Sequence, residues 1–198
     1  MDVAGVSVDL ASVSTAQKVI LVEGRSDQAA LETLAGRRGQ VLGSGGIQVV
    51  AMGGATSIGH FLDVLGPRGI NAKLAGLCDV GQEGHVRGAL ARGGLGPGTS
   101  RASMEALGFY VCVDDLEDEL IRAVGTVAVE QIIQAQGDLR SFRIFQRQPA
   151  QQRQSAGEQL HRFMGTRSGR KSQYARLLAQ ALDLAQIPRP LDRVLAHA

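Results

Sequence analysis

The sequence has no tryptophan and few aromatic residues of any kind, 4% in all. Base-stacking platforms are therefore not expected, and any contact with nucleic acid should run through phosphates and be sensitive to salt. There are only two cysteines, Cys78 and Cys112, and each lies inside an apolar run of strand length. They read as reduced core residues rather than a disulfide, as in a cytoplasmic protein. The histidines His60, His85, His161 and His197 are scattered. No Cys/His set has zinc spacing, and each histidine reads as surface or packing rather than ligand. No apolar run is long enough to span a bilayer, so no membrane partner is expected. The N-terminus lacks the basic start of a secretory leader and carries Asp2 and Asp9 instead. No internal repeat is visible.

What is present is a chain of 198 residues, 44% apolar, enough for one good core or for a domain with a helical appendage. The net charge of +2 hides an asymmetry. Residues 1–139 carry ten Lys/Arg against sixteen Asp/Glu, a net −6, while residues 140–176 carry nine against the single acid Glu158, a net +8. An acidic body joined to a basic segment suits a metal-binding part beside a polyanion-binding part, and suits a set of solvated charged helices equally well.

Residues 1–17 show no clear periodicity and read as an arm. The run KVILVEG (18–24) is a continuous apolar strand, and SDQAALETLAGRR (26–38) is a helix with Ala30, Leu31 and Leu34 on one face. IQVVAM (47–52) is a second buried strand, and a helix follows with Ile58, Phe61, Leu62 and Leu65 at helical spacing. KLAGLCDV (73–80) is the third strand, a looser, partly helical Gly-rich stretch covers 81–100, and FYVCV (109–113) is the fourth. DDLEDELIRAVG then starts a helix with acids in its first turn and ends at Gly125. Continuous apolar strands alternating with helices predict a parallel sheet covered on both faces. Beyond residue 125 the pattern is helical, with candidates over 126–136, 151–164 and 172–185. The last carries a stripe of Tyr174, Leu177, Leu178, Ala181, Leu182 and Ala185.

In an open parallel sheet, ligands bind outside the carboxyl ends of the strands. Three acidic clusters fall at such ends: Glu23 with Asp27, then Asp79, then Asp114, Asp115 and Glu117. Carboxylates gathered on one rim repel unless a cation is present, and the matching cation is hard and oxygen-loving, Mg²⁺ or Mn²⁺. Taken singly, Asp114 or Asp115 reads as a helix cap and Asp27 as a first-turn dipole partner. Glu23 and Asp79 have no such ordinary role, since Glu caps poorly and no clear helix starts at Asp79.

The stretches LVEGRSD (21–27) and LCDVG (77–81) resemble the Toprim domain of topoisomerases, bacterial primases and several nucleases, which carries a Glu-Gly after its first strand and an Asp-x-Asp after its third. Here the third-strand motif is Asp79-Val80-Gly81, so the second Asp is missing. VDDLEDEL (113–120) and the later SGRKSQYARLLA match the Toprim domain of overcoming-lysogenization-defect (OLD) type nucleases better. That resemblance implies an α/β, Rossmann-like Toprim fold: a four-stranded, mainly parallel sheet between helices over 18–125, with a basic helical extension over 126–198 packed on it. It implies a Mg²⁺- or Mn²⁺-dependent nuclease of DNA or RNA. Glu23, Asp27, Asp79, Glu117 and Asp115 are then the metal ligands, Glu23 and Asp79 catalytic among them, and Lys171 the catalytic basic residue. OLD-type proteins carry an ATPase domain before the Toprim part, so here a separate ATPase partner is expected, if there is ATP control at all. The alternative is a metal- and nucleic-acid-binding module without turnover. A primase-like nucleotidyl transfer would need a nucleotide pocket that no motif supplies.

GTRSGRKS (165–172) is not a P-loop, because its glycines are one residue too close, Arg170 precedes Lys171 and no strand leads into it. It reads instead as the opening of the C-terminal helix at Ser168–Ser172, with Arg167, Arg170 and Lys171 as phosphate contacts. GSGGIQVV places its glycines before a strand, which excludes a dinucleotide fingerprint. Tyr110 and Tyr174 both read as core, so neither is a candidate topoisomerase nucleophile.

Overall fold

Five buried residues in succession, Lys18–Val22, form the central strand of the molecule. Alternate side chains of a strand point to opposite faces. Ile20 and Val22 therefore enter one apolar cluster, and Val19 and Leu21 enter another. The structure, a computed structural model, describes residues 2–7, 9–96, 100–167 and 169–197. In chain order its elements are β1 (Asp2–Val3), β2 (Val6–Ser7), α1 (Leu10–Thr15), β3 (Lys18–Val22), α2 (Arg25–Arg37), β4 (Ile47–Ala51), α3 (Ile58–Leu65), β5 (Leu74–Cys78), α4 (Glu83–Arg92) and α5 (Arg101–Ala106). There follow β6 (Phe109–Val111), α6 (Leu116–Val124), α7 (Thr126–Ala135), α8 (Leu139–Gln146), α9 (Ala156–Met164), α10 (Arg170–Ala181) and α11 (Arg189–Ala196).

The main sheet runs β4-β3-β5-β6 and all its pairings are parallel. This is the α/β, Rossmann-like architecture expected from the sequence. One face is covered by α2, α6, α10 and α11, through Leu31, Leu34, Leu120, Tyr174, Leu178 and Leu191. The other is covered by α3, α4 and α5, through Ile58, Phe61, Leu62, Leu90 and Met104. Gly76 on β5 lies opposite Phe109 on β6, and a Cβ built at Gly76 would sit 2.5 Å from the Phe109 ring. Only glycine admits the ring there.

Two segments differ from the sequence reading, the N-terminal one and α11. Residues 2–7 and 9–15 are not a free arm: β1 and β2 pair antiparallel, Asp9 caps α1, and Val3 and Val13 are buried in the α3/α4 core. Two-residue strands are too short to show a period. The Gly-rich stretch after β5 is partly helical as expected: it contains α4, whose Val86, Ala89 and Leu90 bury at helical spacing despite Gly84 and Gly88. Helix α11 passes unread because Pro188 and Pro190 look like breakers. Proline is favoured in a first turn, though, and Pro190 sits there. The basic C-terminal part packs on the core: α10 lies along α2, and α11 packs on β5 and β6. The buried Lys18 Nζ donates to the carbonyls of Val194, Leu195 and His197, which closes the end of α11.

Strand order fixes where a ligand can sit. From β3 the chain crosses to β4 on one side and then returns to β5 on the other. The two connections leave in opposite directions, and a crevice opens outside the carboxyl ends of β3 and β5. Glu23 and Asp79 are the residues that follow those two strands.

Candidate metal centre

Each acid on this rim is positioned by a local feature. Gly24 begins α2 without a side chain to cap it, and Asp27 Oδ2 reaches back to accept the Gly24 N–H at 2.7 Å. This is the carboxylate half of a capping box, so one Asp27 oxygen has the structural role the sequence allowed for it. Asp79 begins a single 3₁₀ turn but its carboxylate caps nothing. The Val80 N–H bonds to the Asp114 carbonyl at 3.3 Å, which ties the end of β5 to the end of β6. Asp115 is the N-cap of α6, with Oδ1 accepting from the Asp118 N–H at 2.8 Å.

The first turn of α6 separates two buried glutamates by role. Glu119 is fully used: Oε1 accepts the Val113 N–H at 2.9 Å, and Oε2 pairs with Arg122 at 3.0 Å. Glu117 is 2% exposed, and its Oε2 meets Lys171 Nζ at 3.0 Å. Its Oε1 is buried with no hydrogen-bond partner. A charged acceptor held out of water without a donor is costly unless a cation completes it. The residues present therefore fit a divalent ion.

Electrostatics join the clusters into one rim. Burial pushes the Asp79 carboxyl up to about 7, and the negative charges of Asp27, Asp115, Glu23 and Glu117 add to the effect. Asp27 is pushed up to about 6 by burial and by Glu117, against the pull of the Gly24 N–H and Lys171. Burial opposes the charged form of Asp115 too, but the His161 hydrogen bond and the Asp118 N–H outweigh it and hold this carboxyl below its usual range. Lys171 is held above the ordinary lysine value because Glu117, Asp115 and Asp27 outweigh its burial. Carboxylates from the ends of β3, β5 and β6 thus act on one another across a single crevice, with Lys171 among them.

Two expected residues stand differently. Arg170 is not a free phosphate contact. Its guanidinium is buried, bonded to Thr166 Oγ1 at 2.7 Å and Asp138 at 3.2 Å, and stacked 4.3 Å over the Phe163 ring. One turn of α10 carries it inward while Lys171 points to Glu117. Arg167 is exposed, and Ser168 lies outside the described residues. His161 is the residue the sequence reading passed over. It lies on α9, and its Nε2 is 2.6 Å from Asp115 Oδ2. Asp115, Glu117 and His161 each offer a ligating atom, all within 4.8 Å of one another. No spacing rule connects positions 46 residues apart. The available signal was only that His161 follows a capping box at Ser155 and Glu158 on an amphipathic helix.

No helix among the described residues is long and apolar enough to cross a membrane. Residues 15–80 match the family model described as "Overcoming lysogenization defect protein-like, TOPRIM domain". No curated protein matches the chain. Among solved structures, the C-terminal region of the Xanthomonas campestris pv. campestris OLD protein is similar with a TM-score of 0.69 and 21% identity, covering 92% of this chain and 91% of that one. The C-terminal region of the Burkholderia pseudomallei OLD protein is similar with a TM-score of 0.66 and 18% identity, covering 91% of this chain and 95% of that one. The matched segment contains Glu23, Asp27 and Asp79, while Asp115, Glu117 and Lys171 lie beyond it. Residues 15–80 are therefore similar to the Toprim domain of OLD-like proteins, and the chain as a whole has the fold of an OLD C-terminal region.

Proposed function

We propose that this protein is a divalent-metal-dependent nuclease that hydrolyses phosphodiester bonds in DNA or RNA. Glu23, Asp27, Asp79, Asp115 and Glu117 hold Mg²⁺ or Mn²⁺ at the carboxyl ends of β3, β5 and β6. The observation that carries the reading is the buried, unpartnered Oε1 of Glu117 on a rim it shares with Glu23, Asp27, Asp79 and Asp115. Two like charges about 4 Å apart near a protein surface repel by roughly 4 kcal/mol, so such a rim is stable chiefly as a cation site. The chemistry gained on binding is Lewis acidity toward the phosphodiester. In this reading Lys171, paired to Glu117, neutralises charge gathering on the phosphate in the transition state. In the same reading Glu23, half-buried and next to Gly24, accepts or returns a proton at the attacking water. Arg167, with exposed Arg140, Arg147, Arg153 and Arg162, offers the cations that a phosphate backbone needs.

The test is cleavage of labelled DNA and RNA with Mg²⁺ or Mn²⁺ by the wild type, Glu23→Gln and Asp79→Asn. Cleavage by the wild type with a loss of about 100-fold or more in both variants supports the nuclease. Equal trace activity in all three removes it. The second reading, a metal- and nucleic-acid-binding module that works with a separate ATPase, is favoured by Gly81, which stands where the general Toprim pattern has its second Asp. Metal uptake with no cleavage in the same assay selects it.

A further inference from the structure

We infer that His161 is a nitrogen ligand of the metal centre and forms with Asp115 and Glu117 a mixed nitrogen–oxygen site that prefers Mn²⁺ to Mg²⁺. The inference deepens the proposed metal-dependent function and rests on it. Helix α9 buries Leu160, Phe163 and Met164 against its neighbours, including α6. That packing brings His161 to the N-terminus of α6, where Nε2 lies 2.6 Å from Asp115 Oδ2.

A histidine that served only to brace Asp115 would leave two observations without a reason. Asp115 is already oriented through Oδ1, which caps α6. Beside it, Glu117 is 2% exposed and keeps one buried oxygen that no donor meets, within a group whose ligating atoms all lie within 4.8 Å. An unmatched acceptor beside an imidazole nitrogen and a second carboxylate is a set of three donors converging on one point. The sequence adds a ligand count: Gly81 offers no carboxylate after β5, and His161 restores one donor from the other side of the rim. To ligate an ion the ring would give up its Nε2 hydrogen, to solvent from the imidazolium or by transfer to Nδ1 from the neutral ring, which would leave the Nε2 and Oδ2 lone pairs free for it. Imidazole suits transition metals, whereas Mg²⁺ takes oxygen ligands almost alone, so the nitrogen discriminates between them.

The experiment is electron spin echo envelope modulation on the full chain loaded with Mn²⁺, with calorimetric titrations of Mn²⁺ and Mg²⁺. Wild type, His161→Gln and His85→Gln are compared, and circular dichroism verifies folding. Gln keeps a donor toward Asp115 but offers no imidazole nitrogen. Expected are a ¹⁴N modulation in wild type and His85→Gln, its loss in His161→Gln, and Mn²⁺ binding about tenfold or more weaker in that variant, with Mg²⁺ affected less. Tight Mn²⁺ binding without nitrogen modulation in wild type overturns the inference and leaves the metal function standing. So does a signal lost in His85→Gln, a result that needs no folded His161 variant. Absence of any Mn²⁺ or Mg²⁺ uptake overturns the metal function itself.

Discussion

Replacing Asp79 with Asn should stabilise the metal-free protein, although Asp79 is proposed as a ligand. Its carboxyl is raised from 3.8 to about 7, chiefly by burial and then by Asp27 and Asp115. A raised carboxyl pKa means the folded state holds the proton more tightly than the unfolded chain. That contribution is fully present below about pH 4 and is lost as pH rises through about 7. At face value, about 3 pKa units correspond to about 4 kcal/mol. Asp79 is half-exposed, so solvent screening leaves about 1–2 kcal/mol. In EDTA at pH 8, Asp79→Asn should therefore unfold in urea with a stability about 1–2 kcal/mol above wild type, or roughly 2–8 °C higher in Tm. The advantage should shrink as pH falls toward 4. Saturating Mn²⁺ should reverse the order, because an ion at 100 times its Kd adds about 2.7 kcal/mol to a protein that binds it. A variant less stable than wild type at pH 8 in EDTA would refute the idea that Asp79 sits under repulsion from its neighbours.

Metal affinity should fall as pH drops from about 7 to 6, because Asp79 and Asp27 then hold protons that the ion must displace; calorimetry in two buffers of different ionisation enthalpy would detect the released protons, and their absence would count against both residues. Gly76→Ala should cost about 1–3 kcal/mol in urea unfolding, since the new methyl meets the Phe109 ring; an unchanged midpoint would mean the ring moves freely. Arg170→Ala should lower Tm through the lost Asp138, Thr166 and Phe163 contacts while leaving DNA affinity near wild type. Arg167→Ala should do the reverse and reduce the salt slope of binding by about 1; fluorescence anisotropy across salt concentrations separates the two.

Glu23, Asp79 and Glu117 could be found in the sequence because each follows a strand or opens a helix at a position set by local pattern. The four sheet strands were legible for the same reason, as unbroken apolar runs. His161 was not, because its meeting with Asp115 depends on how α9 lies against α6, and no local period encodes that packing. Arg170 and Lys171 show the limit at single-residue scale. Adjacent positions on a helix point about 100° apart, so one cation entered the core at Phe163 and the other reached Glu117. Helix α8 escaped notice because it is only eight residues long, too short for its stripe of Leu139, Phe142 and Phe145 to stand out.

The ammonium of Lys18, clasped by three carbonyls from the end of α11, joins the first strand of the main sheet to the last helix across 179 positions of chain. A ribosome releases those two partners far apart in time, and β3 cannot gain its buried counterpart until α11 has cleared the exit tunnel. Long-separated pairings of this kind form late and slowly. The acidic crevice beside β3 should accordingly be completed only after synthesis of the helical segment is finished. Protease protection of β3 in stalled nascent chains lacking α11 would contradict that order.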